Sequence, residues 1–94
     1  MDKTKTFRFN NLNNFKKKFR KIEPKLKDKK IKFELNLIDF FGTIKFNNTN
    51  SVLIYVDDEF YGAVLILDIF ELKMYIPTEN GSEECYIIKS EEVE

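Results

Sequence analysis

The 94-residue chain has no histidine and no tryptophan, one cysteine, two prolines and three glycines. Without histidine, no unperturbed side chain changes charge near neutrality, and the commonest metal ligand is missing. Much acid–base and zinc chemistry is thereby closed to it, and no metal or cofactor is expected. The lone cysteine, Cys85, cannot close an internal disulfide. With no histidine to deprotonate it and with Tyr86 and Ile87 as neighbours, it reads as a buried structural thiol rather than a nucleophile. Gly42, Gly62 and Gly81 stand far apart, so no glycine-rich phosphate cradle is evident. The longest uninterrupted apolar run, Ala63 to Leu67, is five residues, against the ~20 that span a bilayer as a helix. No membrane span is expected.

The opening stretch MDKTKTFRF lacks the apolar core of a secretory signal. Together with the single cysteine, this predicts an intracellular, cytoplasmic setting. Lys, Asn, Ile and Phe make up 43 of the 94 residues, the bias of AT-rich coding, which suits a low-GC bacterium or one of its phages.

What the chain does have is charge, and it is unevenly placed. Sixteen basic and sixteen acidic side chains cancel overall. Up to Lys32, thirteen Lys and Arg face three acidic residues, a net of +10, and from Phe33 onward thirteen Asp and Glu face three lysines, a net of −10. Opposite fields therefore belong to opposite halves of the chain.

Hydrophobic periodicity supplies the elements. Residues 4–9 alternate, with Phe7 and Phe9 on one side, and read as a first strand. Asn10 and Asn11 offer a helix N-cap. Leu12, Phe15, Phe19, Ile22 and Leu26 then recur at helical spacing, within roughly an 80° arc of the wheel. Pro24 interrupts that register, so the spacing predicts a helix over 12–23, a kink or stop near Ile22–Glu23, and an extra turn over 24–29.

From Ile31 the period becomes two. Ile31, Phe33, Leu35 and Leu37 predict one strand, Phe41-Gly42 a break of phase, and Ile44 to Phe46 the next strand. Asn47 to Asn50 signals a turn, Val52 to Val56 a strand, and Asp57-Asp58-Glu59 a hairpin tip. Phe60 to Leu67, apolar on both sides, reads as a central strand covered on both faces. The period-two pattern from Phe70 to Ile76 leaves open one long bent strand or two. Asn80-Gly81 marks a turn, Cys85 to Ile88 a last strand, and 90–94 an acidic tail. Gly62 marks a strand irregularity.

The expected fold is a single α+β domain over residues 1–94. One N-terminal amphipathic helix packs on a curved antiparallel sheet of five or six strands, in the order β-α-β-β-β-β with a further strand allowed.

Two charged surfaces are candidate sites. Lys16, Lys17, Lys18, Arg20, Lys21, Lys25 and Lys27 occupy nearly all of the helix outside its apolar stripe. They fit contact with phosphates or with an acidic protein, or else form a solvated helix back whose long stems cover apolar surface. Asp57, Asp58 and Glu59 at a hairpin tip, with Glu79, Glu83 and Glu84 near the last hairpin, fit the steering of a basic partner, or else ordinary solubilising and edge-guarding charge. Asp57-Asp58-Glu59 lacks the glycine and bidentate glutamate of an EF-hand, so a calcium reading fails. Tyr55, Tyr61, Tyr75 and Tyr86 complete the candidates, since tyrosine joins apolar area to a hydroxyl.

The functional expectation is subtractive. Catalytic equipment is missing and charge is segregated, which points to a non-catalytic module that binds another macromolecule by charge complementarity, a protein ahead of nucleic acid. Size and composition would suit a small phage- or mobile-element-encoded inhibitor of a host nucleic-acid-handling enzyme, of the anti-CRISPR-like kind. The alternative is a nucleic-acid-binding protein acting through the basic segment 12–30. No membrane partner is expected, and a homodimer, with basic helix against acidic sheet, is a further option.

Overall fold

In the computed structural model of the protein, residues 3–27, 29–47 and 49–91 are described. They form β1 (Lys3–Phe9), α1 (Leu12–Leu26), β2 (Ile31–Leu35), β3 (Ile38–Phe46), β4 (Ser51–Val56), β5 (Glu59–Leu65), a single 3-10 turn at Ile66–Asp68, β6 (Glu71–Pro77) and β7 (Glu83–Ser90). The helix is thus the second element. The class is α+β, with one helix and one seven-stranded sheet ordered β1-β7-β6-β2-β3-β4-β5.

The sheet corrects two expectations. It has seven strands rather than five or six, because residues 60–76 form two strands separated by the 3-10 turn. It is also mixed: β1 and β7 pair in parallel, from Lys3 opposite Glu84 to Phe9 opposite Ser90, while every other pair is antiparallel. Hairpins force consecutive strands to oppose one another, but no hairpin joins the first strand to the last.

The helix starts where the sequence places it. Asn11 caps it, its Oδ1 accepting the Asn14 amide at 2.8 Å. It does not stop at Glu23. α1 runs through Pro24 to Leu26, and Lys27 closes it by donating its amide to the Glu23 carbonyl at 3.2 Å. Pro24 removes one amide in the last turn, so a single bond is lost and the helix continues.

Phe15, Phe19, Ile22 and Leu26 are all buried against the sheet. Phe9 meets Phe15 edge to face at 5.0 Å between ring centres, Phe15 stacks on Phe19 at 5.9 Å, and Phe19 reaches Phe46 at 6.3 Å. This aromatic chain ties β1 to α1 and α1 to β3, each buried ring contributing roughly 1.5–3 kcal/mol. The inner faces of β2, β6 and β7 complete the core with Phe33, Leu72, Met74 and Ile88.

β3 carries the chain from one half of the sheet to the other. Residues 38–42 pair with β2 and residues 43–46 with β4. The expected break at Phe41-Gly42 is therefore a change of partner within one continuous strand. The expected strand through Leu37 also ends earlier. Asn36 and Leu37 adopt left-handed backbone, φ 49° and 71°, and make the β2–β3 hairpin turn. Asn36 then fastens this tip to the start of β6: Nδ2 donates to the Asp68 carbonyl at 2.8 Å, and Oδ1 accepts the amides of Phe70 at 2.8 Å and Glu71 at 3.2 Å.

β5 corrects a third expectation. Among the described residues it is an edge strand bonded only to β4, and most of its residues are exposed. Its register on β4 shifts beside Tyr55, leaving Tyr61 as the extra residue of a bulge next to Gly62. Of the expected acidic tail, Ser90 ends β7 and Glu91 donates its amide to the Phe9 carbonyl at 2.8 Å. Residues 92–94 lie outside the described residues.

Candidate functional site

The apolar stripe of α1 faces inward, which fixes what faces out. Lys17, Arg20 and Lys21 are exposed on the solvent side, flanked by half-buried Lys16 and Lys18. Between Leu12 and Ile22 the helix holds no acidic residue. Lys16 and Arg20, and Lys17 and Lys21, stand four apart, where like charges repel by a few tenths of a kcal/mol per pair.

Among the described residues there are two ion pairs, and neither involves residues 16–21. Lys25 Nζ lies 3.5 Å from Glu84 Oε1, and Lys30 Nζ lies 3.4 Å from Asp58 Oδ2. Both form at the end of the sheet where α1 stops and β2 begins. The Asp57-Asp58-Glu59 tip and the Glu83-Glu84 start of β7 thus converge on the C-terminal part of the basic segment. The structure splits the basic candidates: Lys25 joins an acidic neighbour, Lys27 is the exposed helix cap, and Lys16, Lys17, Lys18, Arg20 and Lys21 have no ion-pair partner among the described residues.

The acidic candidates divide as well. Asp57 and Asp58 make a two-residue turn with φ 54° and 64°, a conformation aspartate tolerates because its short side chain bonds locally. Glu59 opens β5 and is exposed, as are Glu79 in the β6–β7 connection and Glu83. Glu84 is held: Tyr86 donates its hydroxyl to Glu84 Oε1 at 3.0 Å, and Lys25 sits 5.8 Å from the Tyr86 ring centre. The Tyr86 hydroxyl, with the Lys25 ammonium, pulls the Glu84 carboxyl below its usual range. Tyr86 and Glu84 in turn raise Lys25.

On the opposite face of the sheet, Tyr75 donates to Glu34 Oε2 at 2.9 Å, with Lys32 and Lys73 each 5.6 Å from its ring centre. Partial burial pushes the Tyr75 phenol up, and the Tyr75 hydroxyl raises Lys73. This is a satisfied polar ladder across β2 and β6. Cys85 is buried beside it, and burial pushes its thiol up, away from the reactive thiolate.

Sequence reasoning missed the exposed apolar residues. Leu37, Ile38 and Phe41 stand out from the β2–β3 hairpin, and Phe60, Tyr61, Leu65, Leu67 and Phe70 from β5 and the turn after it. The available signal was the charge-free run from Phe60 to Leu67, which an edge strand and a central strand share.

The clefts are small. One of ≈ 250 Å³ lies between Thr43, Lys45, Tyr55 and Asp58, and one of ≈ 200 Å³ lies between Lys25, Lys29, Pro77 and Glu84. A third, of ≈ 300 Å³, lies between Leu26, Lys27, Thr43 and Phe46. The first two fall below, and the third only reaches, the low end of the roughly 300–1,000 Å³ of a typical small-molecule site. Among the described residues no cluster of three or more Cys, Asp or Glu is placed to hold a metal ion, and no helix is long and apolar enough to cross a membrane. No family model, no curated protein and no solved structure matches this chain.

Proposed function

We propose that the protein is a non-catalytic binding module whose α1 docks an acidic surface on another protein. One observation carries this reading: five cations within residues 16–21 lie along α1 outside its apolar stripe, without an ion pair among the described residues. No ion pair among the described residues relieves their mutual repulsion, and an anionic partner would relieve it. The acidic clusters are the weaker candidates, because Lys25 and Lys30 already offset part of their charge. An inhibitor of a nucleic-acid-handling enzyme remains a form of this proposal in which α1 meets an acidic patch of that enzyme.

The second reading puts the phosphates of a nucleic acid on the same lysines. It is favoured by the row of cations alone. Phe15 and Phe19 are fully buried, so α1 offers no ring on which a base could stack. Affinity capture with the full chain, from extract with and without nuclease treatment, separates the two. Protein binding predicts partners retained after nuclease; loss of all retained material would transfer the reading to nucleic acid.

A further inference from the structure

We infer that the free edge of β5 is a homodimer interface, at which two copies pair β5 to β5 antiparallel across a two-fold axis. The sheet has two terminal strands, β1 and β5, and they are treated differently. β1 carries exposed Lys5 and Arg8, the kind of charge that keeps an edge from adding further strands. β5 has Glu59 at its start and then no charged residue until Asp68. Its unpaired backbone groups are therefore unguarded along Gly62 to Leu65, the regular stretch beyond the bulge at Tyr61.

The side chains beside that edge are apolar and wet. Phe60 is 59% exposed, Tyr61 65%, Leu65 49% and Leu67 79%. The bulge sends Phe60 against Tyr55 on one face and Tyr61 against Phe40 on the other, with ring centres 5.7 Å and 5.3 Å apart, so apolar surface flanks the edge on both sides. Covering these four residues would remove on the order of 500 Å² per copy, roughly 1,000 Å² for the pair, which reaches the lower bound of a specific interface.

A second copy is the occupant that fits. Antiparallel pairing about a two-fold sets an uncharged run against itself, so no like charges meet within it, and the ladder hydrogen bonds are self-complementary. The axis stands perpendicular to the sheet, which keeps both basic helices on one face of a fourteen-stranded assembly. Two copies of α1 would then be presented together to a single partner, raising avidity without a new contact.

Sedimentation velocity of the full chain across a concentration series, at low and high salt, tests this, alongside hydrogen exchange of the β5 amides. A reversible dimer is expected that persists or tightens in high salt, with protection of residues 62–65 rising with concentration. The Ala63→Lys/Leu65→Lys variant should be monomeric with an unchanged far-UV spectrum, whereas Lys17→Glu/Lys21→Glu should dimerise as the wild type does. A wild type that stays monomeric throughout, a dimer that dissolves in salt, or concentration-dependent protection that falls on α1 or β1 instead of β5 would each overturn the inference. The hydrogen-exchange result decides even if the lysine variant fails to fold.

Discussion

The backbone carbonyl of Tyr55 occupies the space where a side chain at Gly42 would begin. This contact lies at the point where β3 leaves β2 and takes up β4, so the two halves of the sheet approach backbone to backbone there. Nothing but glycine fits at that crossing. Gly42→Ala must therefore push β4 away or bend β3, a displacement that costs about 1–3 kcal/mol. Gly62→Ala is the matched control, since nothing lies within 4 Å of a Cβ built there. Urea titration of the two variants should show a large fall in midpoint for the first and a change within about 0.5 kcal/mol for the second.

Leu37 is held at φ 71°, where a side chain with a Cβ is strained by about 1–2 kcal/mol. Leu37→Gly would give the turn the Asn-Gly pair that this hairpin geometry prefers. The expected result is a rise in thermal midpoint of a few degrees. Asn36→Gly keeps the turn but removes the three side-chain bonds to Asp68, Phe70 and Glu71, and should lose roughly 1–3 kcal/mol.

The Glu84 carboxyl is lowered in the folded state, so it stabilises the fold at pH values above its unfolded pKa of about 4.3. That contribution disappears as the pH falls through the lowered folded value. Thermal midpoints measured from neutral pH down into the acid range should fall more steeply for the wild type than for Glu84→Gln. Parallel curves would show that the contacts from Tyr86 and Lys25 carry no stability.

Burial raises the Cys85 thiol, and the residue is 8% exposed. A thiol reagent should therefore modify the native protein slowly near neutral pH and the denatured protein quickly. Rapid stoichiometric labelling of the native chain would contradict its placement between β1 and β6.

Local signals were legible in the sequence, and pairings at long range were not. The 3-and-4 spacing from Leu12 to Leu26 gave the helix and its buried face, because a helix is written in residues a few positions apart. Leu37 disguised a turn as a strand by continuing the alternation of Ile31, Phe33 and Leu35, and only the left-handed backbone reveals it. β5 was misjudged because an apolar run carries no mark of whether a neighbour covers it. The parallel union of β1 with β7 joins residues some eighty positions apart and has no local signature. Charge told a similar story. The segregation along the chain was plain, but the meeting of Lys25 with Glu84 and Lys30 with Asp58 depends on where two hairpins end.

The claim that Lys16 to Lys21 form the docking face is tested most directly by quantifying what the tagged full chain captures after charge reversal. The account predicts that Lys17→Glu/Lys21→Glu, folded to the same thermal midpoint or above, loses the acidic protein partner at least tenfold, while Asp57→Lys/Asp58→Lys/Glu59→Lys retains it. Equal capture by the helix variant and the wild type would contradict it.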